Sequence, residues 1–344
     1  MSSALPRRPT DVTTAAPVRS RPMASTETTI ERDLEQYRKE LTGYCYRMLG
    51  SGFEAEDAVQ ETMVRAWRNI DGFEGRSALR SWLYRIAHNV CLDMVQGPQR
   101  RARPMDLSPA SRADGALGAP LAENAWVTPI ADSSVLPDGD PADVASARDS
   151  IRLAFVAALQ HLPAKQRAVL ILCEVLRWQA TEVAELLETT VASVNSALQR
   201  ARATLESLDL EESRITPGAE QHELLVRYVE AFERYDIEQL VTLVHDDAIF
   251  CMPPIPMWVR GPEDIGAFML GHGIACEGSR TVIGPMVNGA VSFGQYKNVA
   301  PGRWEPWSFT VLETADGAIT ALHHFLDTAN FEKFGLPAFL EASA

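Results

Sequence analysis

Polar and basic side chains recur along one side of Val191–Leu205, and their types suit hydrogen bonding to the edges of paired bases. They comprise Ser193, Asn195, Ser196, Arg200 and Arg202. Apolar residues at alternating steps of three and four form a separate stripe, which comprises Val191, Val194, Leu198, Ala201 and Leu205. A helix with these two faces packs through one of them and presents the other to the major groove of DNA.

Aromatic and basic residues are interleaved in a second segment, Phe73–Val95. Between its apolar positions stand Arg80, Trp82, Tyr84, Arg85, His88 and Asn89. Aromatic faces stack on unpaired bases and arginines contact phosphates, so this set suits melted DNA. The composition equally allows Trp82 and Tyr84 to be core residues.

A third candidate surface is acidic. The helical period of Phe53–Ile70 predicts a buried stripe of Val59, Met63, Ala66, Trp67 and Ile70. The outer side carries Asp57, Gln60 and Glu61, with Arg65 one turn after Glu61. From pattern alone, this side is either a docking surface or a solvated helix face.

Four segments must position these residues. Residues 1–29, rich in Ser, Thr, Pro and Arg, predict a disordered arm. Two helical blocks, 30–104 and 144–210, flank a linker, 105–143, that is rich in Pro, Gly and Ala. The apolar run Ala125–Ile130 inside the linker leaves open whether it packs onto a neighbouring domain.

Residues 217–340 change character. Two helices near Glu220–Tyr235 and Ile237–Val244 precede short alternating stretches, which are Ala248–Met252, Thr281–Val287, Ala290–Tyr296, Trp304–Glu313 and Ala318–Leu326. Asp316-Gly317 predicts a hairpin between the last two. Helices followed by strands with tight turns predict an antiparallel meander in an α+β domain.

The net charge of −14 is unusual for a protein that binds nucleic acid. The acidic excess lies mainly in residues 215–344, which hold 7 basic and 17 acidic residues, whereas residues 30–104 sum to +1. Phosphate neutralisation supplies most of the affinity of isolated DNA-binding modules. The near-neutral helical blocks therefore predict a protein that binds DNA within a larger assembly.

Several classes of protein are disfavoured. The five cysteines are far apart and form no metal-type pair, which predicts reduced cysteines and a cytoplasmic location. No apolar run approaches the roughly 20 residues of a membrane-spanning helix. The chain shows no nucleophile motif, Gly-rich phosphate loop or metal-ligand spacing. We therefore expect no cofactor, no metal site, no membrane partner and no enzyme activity.

The helical segments, taken in order, resemble the extracytoplasmic-function group of sigma-70-family sigma factors. The matching runs are Glu56–Thr62, Phe73–Asp93, Leu162–Arg167 and Thr181–Arg202. The resemblance implies two all-α sigma domains, the second of them a helix-turn-helix. Asn195 and Ala197 stand where the group often has basic residues, so the preferred promoter does not follow from the sequence.

The resemblance also implies partners: core RNA polymerase, and promoter DNA in double-stranded and melted form. Docking on core polymerase would use Asp57, Gln60 and Glu61. The −10 promoter element would be engaged by Arg80, Trp82, Arg85, His88 and Asn89. The −35 element would be engaged by Ser193, Asn195, Ser196, Arg200 and Arg202. The linker would thread between the two domains toward the catalytic cleft of the polymerase.

Residues 217–340 resemble the SnoaL-like polyketide cyclase fold, a cone-shaped α+β barrel around a pocket. Candidate pocket residues are Asp246, Trp258, Trp307 and His323. His323 shares a predicted strand face with Ile319, Ala321 and Phe325, which would aim it into the cone. A small apolar ligand or a packed core fits these residues, and a hydrogen-bonded core histidine is the simpler interpretation of His323.

Three functions follow from these patterns. The first is a promoter-specificity subunit whose acidic C-terminal domain regulates it in cis. The second is a helix-turn-helix regulator that binds DNA as a dimer without polymerase. The third is a bifunctional protein whose C-terminal domain binds or converts a small molecule, with His323 and Asp246 in acid–base roles.

Overall fold

The computed structural model describes residues 34–70, 73, 78–95, 101–138, 140–208 and 218–342. Within these residues, three helices build the first helical block. They are α1 Arg38–Leu49, α2 Gly52–Asn69 and α3 Leu79–Met94. Gly50 ends α1 in the left-handed conformation, and the Ser51 hydroxyl accepts a hydrogen bond from the amide of Glu54 at the start of α2. The largest fully buried side chains of this block are those of Tyr44, Tyr46 and Tyr84.

The chain divides into two units, Met1–Gln36 and Tyr37–Ala344. The predicted disordered arm, residues 1–29, lies outside the described residues. No helix in the described part of the chain is long and apolar enough to cross a membrane.

The linker contains little regular structure but is anchored along its length. It holds the short helices α4 Pro104–Leu107 and α5 Asp132–Val135, and a 3-10 turn at Glu123–Ala125. Trp126, Val127 and Ile130 are buried. Their run is fixed on both sides, because the amide of Thr128 donates to the carbonyl of Gly50 and that of Asp132 to Met286. The apolar run therefore packs between the first helical block and the C-terminal domain.

The second helical block contains α6 Pro141–Asp149, α7 Leu153–Leu159, α8 Ala164–Leu170, α9 Ala180–Leu186 and α10 Val191–Glu206. A π-helical segment, Ile171–Val175, continues α8. The tight turn between α9 and α10 places Glu188 at φ 51°, a left-handed conformation that glycine adopts more readily. The Thr190 hydroxyl then caps α10 by accepting from the amide of Ser193. This is the predicted helix-turn-helix.

Two buried arginines join the helical blocks. Arg47 of α1 donates through Nη2 to the Ser150 hydroxyl at 2.6 Å. Arg167 of α8 donates through Nη1 to the carbonyl of Met48 and to the side chain of Gln160. Both guanidinium groups find acceptors across the boundary, which satisfies their burial.

The C-terminal domain combines helices with an open, mixed sheet. Its helices are α11 Gly218–Glu233, α12 Ile237–Val241, α13 Gly261–Leu270 and α14 Ala329–Lys333. Its strands are β1 Val244–Cys251, β2 Trp258–Arg260, β3 Arg280–Ile283, β4 Val291–Ala300, β5 Arg303–Ala315, β6 Ala318–Phe325 and β7 Leu340–Glu341. The order is β2-β1-β6-β5-β4-β3, and β7 pairs with β5. The predicted α+β class is confirmed.

The predicted meander holds from β3 to β6, where every neighbouring pair is antiparallel. Asp316 and Gly317 both take positive φ, 50° and 78°, as the predicted two-residue hairpin requires. The first strand departs from the prediction, because β1 lies parallel to β6. Strand β2 was not predicted, and it extends the sheet beside β1.

A bulge in β6 corrects the predicted orientation of His323. Glu313 pairs with Ala321 and Thr314 pairs with Ile319, so Thr320 is the additional residue of the bulge. Such an insertion reverses the side on which the following residues project. Ile319 accordingly packs in the hydrophobic core with Leu322, while His323 lies on the opposite face of the sheet.

Two exposed side chains correct the predicted helix stripes. Trp67 of α2 is 52% exposed and Val191 of α10 is 38% exposed, although both were predicted to be buried. The buried stripe of α10 instead contains Val194, Ala197 and Ala201. The sequence period identified the helices correctly but misassigned positions at the edge of the stripe.

The side-chain amide of Asn288, in the C-terminal domain, forms hydrogen bonds with the linker and with both helical blocks. Its Oδ1 accepts from the amide of Ile130 in the linker at 3.0 Å. Its Nδ2 donates to the Tyr46 hydroxyl of α1 at 2.7 Å and to the carbonyl of Ile151, which precedes α7. Asn288 is 2% exposed and has φ 53°, a conformation that asparagine tolerates better than most residues.

We expect Asn288→Ala to lower the free energy of unfolding by about 2–4 kcal/mol, because it leaves buried donors and acceptors unpaired and places alanine at positive φ. Urea unfolding followed by circular dichroism measures the loss. Asn298→Ala, an exposed asparagine of β4, is the matched control. Equal effects of the two substitutions would contradict the role assigned to Asn288.

Candidate nucleic-acid interface

Helix α3 presents the residues predicted to engage the −10 element, and part of that surface is covered by the second helical block. Arg80 lies with its Cζ 5.3 Å from the ring centroid of Tyr84 and 4.8 Å from that of Trp178, which precedes α9. Its Nε also donates to Glu40 at 3.0 Å. Arg80 is therefore held by a carboxylate and two aromatic rings of the protein itself.

Arg85 makes the second contact between the blocks. Its Nη2 donates to the carbonyl of Glu185 at 3.3 Å, and its Nη1 lies 4.0 Å from a carboxylate oxygen of Glu188. Tyr84 and Trp178 add a ring contact at 5.0 Å. The guanidinium groups that could meet phosphates are thus turned toward α9 and the turn after it.

The remaining predicted −10 residues occupy different environments. Trp82 is half-buried with its ring 5.2 Å from that of Phe73, and Asn89 is exposed. His88 requires a correction, because it is 8% exposed and its Nδ1 lies 2.9 Å from the Tyr44 hydroxyl. Burial lowers the pKa of His88 to about 4, so it remains a neutral core residue at pH 7.

Helix α10 carries the predicted −35 residues on two separate stripes, in which Ser193 and Ser196 are half-buried and the other three residues are exposed. Ser193, Ser196 and Arg200 follow at helical spacing, and Arg200 Nη1 donates to the Ser196 hydroxyl at 2.6 Å. Asn195 is exposed on the other stripe. Arg202 is exposed as well but pairs with Glu174. Three neutral hydrogen-bonding side chains and two guanidinium groups are therefore available to base edges and phosphates.

The acidic surface of α2 is open. Asp57, Gln60 and Glu61 are all exposed, and Glu61 pairs with Arg65 at 2.6 Å. Trp67, which the sequence period placed in the core, lies two turns after Gln60 on the same side of the helix. An exposed tryptophan beside carboxylates is a typical anchor of a protein–protein interface.

The four candidate pocket residues of the C-terminal domain are not gathered in one cavity. Asp246 is exposed, and Trp307 is 39% exposed with the Lys297 ammonium 3.4 Å from its ring centroid. Trp258 donates its indole N–H to the carbonyl of Ser108 in the linker at 2.9 Å. His323 is buried on the outer face of the sheet.

His323 belongs to a buried charged group. Its Nε2 lies 3.4 Å from Glu313 Oε1, and its Nδ1 lies 3.3 Å from the Cys251 sulfur. Burial opposes the charge of the imidazole, but Cys251 and Glu313 outweigh it and raise the pKa of His323 to about 10. Burial also opposes the charge of Glu313, yet His323 lowers the pKa of that carboxyl to about 2. The two form an ion pair at pH 7.

This pair predicts how stability depends on pH. A raised histidine pKa adds stability that is complete below the unfolded value of 6.5 and is lost as pH rises toward 10. Burial lowers the pKa of His88 to about 4 and that of His324 to about 3, so these two residues change the stability only below pH 6.5. A neighbouring thiol and burial raise the pKa of the Cys91 thiol, and burial raises the pKa of the Cys173 thiol. Both shifts lower stability as pH approaches 9, so the decline between pH 6.5 and about pH 8 reports on His323.

We expect Glu313→Gln to lower the free energy of unfolding at pH 6 by about 3–5 kcal/mol, because it leaves a buried imidazolium unpaired. It should also flatten the decline of stability between pH 6.5 and about pH 8. Urea unfolding at several pH values measures both effects. Glu305→Gln, an exposed carboxylate of the same strand β5, serves as control. A Glu313→Gln protein with the unaltered pH dependence would contradict the pairing.

Comparison with known families agrees with this geometry. Residues 34–101 match the family model described as Sigma-70 region 2, and residues 152–205 match Sigma-70 region 4. Residues 225–322 match the SnoaL-like domain. The first model contains α1 to α3, the second contains the helix-turn-helix, and the third contains the sheet from β1 to most of β6.

Similar proteins align with between about half and nearly nine-tenths of the chain. It is 41% identical to the ECF RNA polymerase sigma factor SigG of Mycobacterium tuberculosis over 308 residues, which are 88% of this chain and 82% of the relative. SigW of Bacillus subtilis is 31% identical over 169 residues, 49% of this chain and 82% of the relative. The crystal structure of M. tuberculosis SigJ shares the fold with a TM-score of 0.55 at 23% identity, covering 89% of this chain and 99% of that one. The chain therefore belongs to the extracytoplasmic-function RNA polymerase sigma factors of the sigma-70 family, and it carries a SnoaL-like domain at its C-terminal end.

Proposed function

We propose that this sigma factor binds core RNA polymerase, directs promoter-specific initiation, and is held by its own C-terminal domain in a closed form. Binding and initiation follow from membership of the family. The closed form rests on one observation, namely that Arg80, Tyr84 and Arg85 of the −10 helix contact Trp178 and the helix-turn-helix.

The closed arrangement does not permit both promoter elements to be read at once. The two elements are about 25 base pairs apart by their names, which is about 85 Å along B-form DNA at 3.4 Å per base pair. Helix α3 touches the C-terminal end of α9, and only the turn Leu187–Thr190 separates α9 from the −35 helix α10. The two helical blocks must therefore separate before initiation.

In the separated form we assign three surfaces. Core polymerase docks on α2 through Asp57, Gln60 and Glu61, with Trp67 as a further anchor. The −10 element is engaged by Arg80, Trp82, Arg85 and Asn89, while His88 supports α3 from within the core. The −35 element is engaged by Ser193, Asn195, Ser196, Arg200 and Arg202. We place the first helical block at residues 30–104, the linker at 105–143, the second helical block at 144–210 and the C-terminal domain at 217–340.

The C-terminal domain contacts the sigma domains in a manner suited to cis regulation. Asn288 bonds to Tyr46 of the first block and to Ile151 of the second, so it holds both at once. Lys333 of α14 pairs with Glu56 at 3.4 Å and lies 4.0 Å from the ring centroid of Phe53, both at the start of α2. A domain that holds both blocks biases the equilibrium between closed and separated forms.

The test of regulation is transcription by purified core polymerase on genomic DNA with limiting sigma factor. We expect a chain that ends at Thr216 to give about fivefold more promoter-dependent transcript than the full chain, because the typical coupling between sites is 1–3 kcal/mol. Equal transcription and equal affinity for core polymerase would exclude cis regulation. Site-specific DNA binding by a dimer without core polymerase would support the alternative regulator.

Trp67→Ala tests the docking surface. We expect its affinity for core polymerase to fall about thirtyfold, or about 2 kcal/mol, because a tryptophan at the centre of an interface contributes that much. Binding of fluorescently labelled sigma factor to core polymerase measures it. Trp307→Ala removes a similarly exposed tryptophan from the C-terminal domain and should leave the affinity unchanged. A Trp67→Ala protein with full affinity would place the docking surface elsewhere.

A further inference from the structure

One stretch of the linker, Ser108–Leu121, lies across the C-terminal domain, and we call it the strap. Near its start, the amide of Ser111 donates to the carbonyl of Trp258 at 2.7 Å, and the indole of Trp258 donates to the carbonyl of Ser108 at 2.9 Å. At its end, the amide of Leu121 donates to the carbonyl of Pro254 at 2.9 Å. The strap is thus fixed at both ends to β2 and the loop that precedes it.

The middle of the strap meets the hydrophobic core of the domain. Ala113 and Leu117 pack against the core cluster that includes Phe250 and Phe268. Between them, the carbonyl of Gly115 lies 2.9 Å from His272 Nε2, just after α13. The strap therefore bridges the β1–β2 loop and the end of α13.

The attachment is specific but weak. None of the side chains between Ser108 and Leu121 is buried. The strap is held by a few main-chain hydrogen bonds and two apolar contacts, and segments of that kind open with little free energy. The neighbouring run that contains Trp126 and Ile130 is buried and is fixed far more firmly.

We propose that the strap is a releasable latch. While the strap is bound to the C-terminal domain, the linker cannot follow its path across core polymerase, and when the linker follows that path the strap is released. This rests on the proposed cis regulation and names the contact through which it acts. The strap belongs to a loop whose two ends meet beside the first helical block, where Ala102 pairs with Trp126. The strap residues cannot lie on the C-terminal domain and across core polymerase at the same time, so release of the strap and engagement of polymerase are coupled.

Leu117→Asp in the full chain tests the latch, because an ionised carboxylate does not remain against an apolar core. We expect faster hydrogen exchange in peptides that cover residues 108–121, and at least about fivefold higher affinity for core polymerase. Leu107→Asp is the matched control, since Leu107 is a 49% exposed leucine of the same linker outside the strap. It should change neither quantity.

Trp258→Phe provides a second variant that keeps an aromatic ring but removes the indole N–H bonded to Ser108. It should also speed hydrogen exchange in residues 108–121 and raise the affinity for core polymerase, while the melting temperature of the protein stays unchanged. Faster exchange in both variants without tighter polymerase binding would overturn the latch. Unchanged exchange would overturn it as well. Neither result affects cis regulation, which the chain that ends at Thr216 tests independently.

Discussion

The buried amide of Asn288 is the interaction on which the closed form depends. One side chain satisfies a main-chain amide of the linker, a hydroxyl of the first helical block and a carbonyl of the second. Buried polar groups are costly unless they are paired, so moving any one of these parts away would leave a buried donor or acceptor without its partner. The fit is specific, because the amide offers both a donor and an acceptor at a left-handed position that most residues avoid.

Much of the fold could be predicted from the sequence, since periodicity and turn chemistry are local. The helices, the helix-turn-helix, the Asp316-Gly317 hairpin and the α+β class all follow from such patterns. The positions of Trp67 and His323 did not, because each depends on a neighbour distant in sequence or on an additional residue in a strand. The dipeptide Asn288-Gly289 is a strong turn signal, but no pattern could show that its amide would reach Tyr46 and Ile151.

For the candidate site, the sequence shows the chemical type of each side chain, but it predicts less well which of these side chains are exposed. Asn195, Arg200 and Arg202 of α10 and the acidic face of α2 are exposed, whereas Ser193 and Ser196 of α10 are half-buried. His88 is buried, and Arg80 and Arg85 are engaged by groups of the protein itself. A sequence shows which side chains can bind DNA, but whether they are free to do so depends on how domains pack. The low positive charge of the helical blocks agrees with the proposal that the DNA contacts act only after the blocks separate.

The distance along the chain between Asn288 and its partners has a consequence for synthesis. Tyr46 precedes Asn288 by 242 residues, and the parallel pairing of β1 with β6 means that the C-terminal sheet is incomplete until Phe325 has been made. At typical translation speeds of 5–20 residues per second, the first helical block leaves the ribosome on the order of ten to fifty seconds before its restraint. Each newly made molecule therefore passes through a period in which its promoter-reading domains exist without the domain that closes them.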